Sequence, residues 1–163
     1  MKKISYAWRE AGSLVETLSR PFDRLSVHLD MIQRPLGVWL LHEHAAATQI
    51  GSKMYEVAPR IEVGVLEFSR GGSRHDNGLS LDVPQTFGVV VAIEKLIIDI
   101  EDVSAESGIA FKNARGDEIL IVAGAQPYGL AVRVPWDAPV PRTDPEYCLN
   151  QYQRMPMDYE STT

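Results

Sequence analysis

The sequence predicts an α+β fold dominated by an antiparallel β-sheet, a roll or partly closed barrel, with an N-terminal helix and a proline-rich C-terminal tail. Three observations carry that expectation. Near the start, apolar residues recur at gaps of three and four, which is one face of a helix. Across residues 24–134, most segments alternate apolar and polar side chains, the period of a half-buried strand. Beyond them, Pro135, Pro139, Pro141, Pro145 and Pro156 exclude a long regular element. The 163 residues fit one domain, read as helix 1–20, sheet 24–134, and tail 135–163 with one short helix.

Each element follows from its residues. Ile4, Trp8, Ala11, Leu14, Val15 and Leu18 make the helical face, and Ser19-Arg20-Pro21 interrupts it. In residues 24–32, Leu25, Val27, Leu29 and Met31 alternate with Ser26, His28 and Asp30 and predict a strand. Residues 33–37, QRPLG, turn it into a second strand, GVWLLHEH. The alanines of AAATQIGSKMYEV, from Ala45, favour a short helix ending near Gly51. Residues 60–69 and 79–83 read as strands around the polar glycine loop SRGGSRHDNG. The β-branched run GVVVAIEKLIIDIE, residues 88–101, reads as one long strand or two with a kink. Residues 108–113 and 118–125 flank Ala114-Arg115-Gly116-Asp117 as a hairpin, and after the turn QPYG residues 130–134 close a meander. In the tail, Thr143 or Asp144 caps the short helix, with Pro145 in its first turn.

Composition narrows the function classes. The hydrophobic fraction of 45% and charged fraction of 23% are ordinary for a globular chain that folds on an apolar core. The single cysteine, Cys148, allows no internal disulfide and reads as an incidental or buried thiol, which fits a reducing compartment. Arg9, Glu10 and Glu16 interrupt any signal-like apolar region, and no run approaches the roughly 20 apolar residues of a membrane span. The expectation is a cytoplasmic protein without a membrane partner. The net charge of −6, from 16 basic and 22 acidic residues, repels phosphate backbones and argues against general nucleic-acid binding.

Three constellations are candidates for chemistry. Asp99, Glu101, Asp102 and Glu106 lie in a segment of five carboxylates and one lysine, with Asp99 and Glu101 on one strand face. Such a face steers a basic protein partner. The leading expectation is therefore a non-enzymatic protein-binding module needing no cofactor, in its specific form an inhibitor or immunity-type protein that covers a basic enzyme. The alternative is a metal-binding protein or metal-dependent enzyme holding a divalent ion such as zinc. On a strand, His42 and His44 share a face, and His75 or Asp76 is needed to complete the shell. In the glycine loop, Arg70 and Arg74 flank Gly71 and Gly72 and suit an anion. A third expectation, a structural subunit of a larger assembly, rests only on the number of strands.

Overall fold

Alternation of apolar and polar residues decides nearly the whole chain, including its ends. The computed structural model describes residues 1–71 and 78–157. Its strands are β1 (Lys2–Ile4), β2 (Ala7–Trp8), β3 (Phe22–Leu29), β4 (Pro35–His42), β5 (Thr48–Ala58), β6 (Ile61–Arg70), β7 (Gly78–Asp82), β8 (Ala92–Ile100), β9 (Val103–Lys112), β10 (Glu118–Ala123), β11 (Leu130–Arg133) and β12 (Gln153–Pro156). They form two sheets. One runs β11-β10-β9-β8-β12 with β1 paired to β9, and the other runs β2-β6-β5-β4-β3-β7.

The α+β expectation is overturned. Among the described residues, strands hold 54% and helical turns 5%, in two sheets without a closed barrel. The N-terminal helix shrinks to α1 (Leu14–Leu18). Gly12, at φ 91°, precedes it, and Ser13 Oγ accepts from Glu16 N at 3.3 Å to start it. Ahead of it, Ile4, Tyr6 and Trp8 alternate with Lys3, Ser5 and Ala7, a strand period that the helical spacing overlooks. This period wins because β6 and β9 each offer backbone groups that need partners. β1 lies parallel to β9, Lys2 opposite Val103, and β2 lies parallel to β6, Trp8 opposite Phe68. The first eight residues thus strap one sheet to the other.

Two further expectations change in the same direction. The alanines of residues 45–47 form the loop after β4, and the residues that follow are the eleven-residue β5, whose buried Thr48, Ile50 and Ser52 keep period two. The tail helix is only a 3-10 turn at Leu149–Gln151, later than Thr143, and β12 follows it. β12 is a sheet edge, where Pro156 removes no internal ladder bond.

The sheets meet in a large apolar cluster. It joins Leu25, Val27, Val38, Leu40, Ile50, Leu66 and Phe68 of one sheet to Ile109, Phe111, Ile119 and Ile121 of the other, with Leu14 and Leu18 of α1 added. A smaller cluster joins Val63 and Val65 to Leu96, Ile98, Ala105, Leu120, Val122 and Tyr152. β6 therefore supplies both clusters. It approaches β10 closely at Gly64, where a Cβ would stand 2.6 Å from Ala123 Cβ, so only glycine fits.

Candidate functional site

Two chain ends wall a groove on the β8–β9 hairpin. β12 pairs antiparallel with β8 from Gln153 opposite Ile97 to Pro156 opposite Glu94, and β1 lies along the start of β9. The groove between them measures about 440 Å³, within the size range of small-ligand sites. Buried Ile97 forms part of its lining, and the exposed side chains of Met1 and Met155 stand at its rim. Methionine adapts its shape to what it touches, so this rim accepts varied apolar surfaces.

A charged pair lines the groove as well. Lys95 interrupts the apolar run of β8, and a buried lysine requires a counter-charge. The hairpin brings one: Glu106 on β9, opposite Ile97. The Lys95 and Glu106 side chains are only 7% and 12% exposed and are joined by an ion pair. The second carboxylate oxygen of Glu106 accepts Tyr6 N at 2.7 Å, and Lys95 Nζ stands 5.3 Å from the centre of the Tyr6 ring. Tyr6 OH donates to Gly108 O. Burial, with the Glu106 charge second, pushes the Tyr6 phenol well above its ordinary pKa, so it remains a donor at neutral pH. The pair is thus internally neutralised and fastens the N-terminal strap.

The four acidic residues predicted to bind a partner do not share one strand face. Asp99 lies on β8, lines the groove, is exposed and accepts a long 3.4 Å hydrogen bond from Gln153 Nε2. Glu101 and Asp102 form the turn between β8 and β9, with Glu101 at φ 53°. Glu106 is committed to Lys95 and Tyr6. Lys2 and Lys3 lie beside the acidic turn, and Lys2 N donates to Asp102 O at 2.8 Å. The surface offered is therefore a groove of mixed lining, in which Met1, Ile4, Ile97 and Met155 stand among Lys3, Ser5, Asp99, Ser104 and Gln153, and a mixed, only slightly acidic tip. Sequence reasoning missed Lys95, Tyr6, Ile97 and Met155. The lone lysine inside the apolar run was the available signal, because its burial demanded an acid across the hairpin.

His42 and His44 do not share a strand. β4 ends at His42, and His44 lies in the following turn at φ 57°, exposed, with its Nε2 3.3 Å from Glu43 Oε1. The His42 ring is used at both nitrogens. Pro21 O, at 3.2 Å, can only accept, so Nδ1 donates to it and Nε2 receives the Thr48 hydroxyl at 2.8 Å. Burial pulls the His42 pKa down, which favours this neutral ring. His75, Asp76 and Arg74 lie outside the described residues. Among the described residues, no three His, Cys, Asp or Glu side chains are grouped to hold a metal. Arg70 is occupied as a staple: its guanidinium lies 5.5 Å from the Trp8 ring centre, and Nη2 donates to Ala11 O at 3.0 Å. Cys148 is exposed, contrary to a buried thiol.

A larger, more open cleft of about 530 Å³ lies over β5 and β6, with Arg9, Glu10, Lys53 and Glu67 among its lining residues. Among the described residues, no helix is long and apolar enough to cross a membrane. The chain matches no protein-family model, no curated protein and no solved structure.

Proposed function

We propose that this chain is a binding module that captures a segment of another protein in the groove between β1 and β12. The observation that carries the reading is the groove itself, where buried Ile97 and exposed Met1 and Met155 form an apolar strip among polar lining residues. Interfaces concentrate binding energy in such places, where an apolar anchor is surrounded by polar residues. The segment that fits carries an apolar side chain for the groove and a basic residue beside it for Asp99 and the Glu101–Asp102 turn. An inhibitor of a basic enzyme is one specific form of this reading. The internal pairing of Lys95 with Glu106 removes both from partner recognition and leaves them a supporting role.

A capture experiment with three versions of the chain tests it: wild type, Met155→Asp, and Asp99→Lys with Glu101→Lys. Met155 is half exposed, so its substitution is compatible with folding. One protein should be retained by the wild type and lost with Met155→Asp. With the double variant its retention should weaken and become less sensitive to salt. If all three versions retain the same proteins equally, the groove is not the binding site.

A further inference from the structure

The opposite charge gathers elsewhere in this acidic protein. A pocket of about 240 Å³ lies beside the start of β4 and the β10–β11 turn, and Arg34 and Arg142 both line it. Arg34 is held in place: Asp30 accepts its Nε at 2.8 Å and its backbone N at 2.8 Å. No hydrogen bond among the described residues uses the two terminal nitrogens of Arg34. Arg142 is exposed and makes no hydrogen bond or ion pair there. Arg133 is a third guanidinium nearby; burial lowers its pKa first, and the like charge of Arg142 lowers it further. The acids present are Asp30, already paired with Arg34, and Asp144, which lines the pocket and whose charge opposes that of Arg142 at Arg133. The remaining wall includes Gly124 and Gly129, whose N–H groups are already bonded to Gly129 O at 2.8 Å and Gln126 O at 3.0 Å, so the donors open to a ligand are those of the two guanidiniums.

We propose that this pocket binds a phosphate group through Arg34 and Arg142. Two guanidiniums with free terminal N–H groups match the oxygens of a phosphate in geometry and charge. The volume is smaller than the roughly 300 Å³ at which sites for larger organic ligands begin, so the recognised part is a compact headgroup. A neighbouring feature bears on what carries the phosphate. The β3–β4 loop projects Met31, 99% exposed, and Ile32, 69% exposed. It is closed by hydrogen bonds at its base: Asp30 also accepts Ile32 N at 3.0 Å, and Asp30 N donates to Arg34 O at 2.9 Å. An apolar tip held out beside a phosphate pocket suits a lipid headgroup, whereas the pocket alone suits a free phosphate.

The test titrates the full chain with inorganic phosphate, following backbone amide shifts at constant ionic strength, and separately with phosphatidylcholine vesicles with and without phosphatidic acid. Both are repeated for Arg142→Gln and for Met31→Ser with Ile32→Ser. Arg142→Gln should weaken binding by about tenfold or more. Phosphate binding that depends on Arg142, with no vesicle binding, assigns a free phosphate. Vesicle binding that needs phosphatidic acid, Arg142 and the Met31–Ile32 tip assigns a headgroup. If neither ligand shows saturable binding that depends on Arg142, the proposal is overturned.

Discussion

Replacing Glu106 by glutamine separates charge from shape at the groove. Gln Oε1 still accepts Tyr6 N, so the strap keeps that bond, but Lys95 loses its counter-charge in a place only 7% open to solvent. Breaking a buried pair from one side costs about 3–5 kcal/mol. The Tyr6 ring, 5.3 Å from Nζ, faces the ammonium with or without the carboxylate, so its contribution cancels in the comparison. The expected loss is therefore about 3–5 kcal/mol, read from urea unfolding followed by circular dichroism. In a Lys95→Met background the same Glu106→Gln change removes no partner and should cost less than about 1 kcal/mol. A similar cost in both backgrounds would refute the argument, because the carboxylate would then matter for something other than Lys95.

Other perturbations test the fold around this site. Gly64→Ala places a Cβ 2.6 Å from Ala123 Cβ and should cost roughly 1–3 kcal/mol in urea unfolding, with Ala123→Gly recovering part of it. Burial raises the Glu146 pKa against the Gly64 N–H that lowers it, so the folded state holds this proton more tightly than the unfolded chain does. That group's contribution then falls as pH climbs from the ordinary carboxyl value through the raised one. Glu146→Gln should accordingly show its most favourable stability relative to wild type above that window and lose the advantage below it, in melts compared across pH. His42 acts with the opposite sign: its lowered pKa makes the folded state bind the proton less, so stability drops as pH falls below about 6.5 toward the lowered value. His42→Gln should flatten that acid-side slope in the same melts.

The middle of the chain was legible because one face of each strand is buried. Leu25, Val27 and Leu29, or Val63, Val65 and the hairpin across Gly116, announce themselves by period. The ends were not, because Ile4, Trp8 and Ala11 fit a helix as well as Ile4, Tyr6 and Trp8 fit a strand, and only the unpaired edges of β6 and β9 choose between them. The β8–β9 turn was hidden for a different reason. Residues 99–106 contain none of the glycine, proline or asparagine that usually marks a turn, and Glu101 takes its positive φ without them. Once that turn is missed, Asp99 and Glu106 read as neighbours along one acidic stretch, whereas they lie on paired strands and Glu106 faces a lysine. The histidine pair turns on the same kind of detail, since β4 stops at His42 and His44 lies in the turn that follows.

The position of the Lys95–Glu106 pair also explains why an apolar lining was not simply continued there. β1 contributes three residues of pairing and β2 two, too few for hydrophobic contact alone to choose a register. A slip of one residue would turn Tyr6 away from Lys95 and Gly108 and leave Glu106 without its backbone donor. The buried ions penalise that slip far more than neighbouring apolar residues would, because an unmatched charge in this place has no substitute partner. The groove then inherits its shape from the same constraint: β1 can wall it only in the register that satisfies Glu106. The proposed binding groove and the fastening of the N-terminal strap thus share one ion pair, and Glu106→Ala, which removes both the counter-charge of Lys95 and the acceptor of Tyr6 N, should loosen both together.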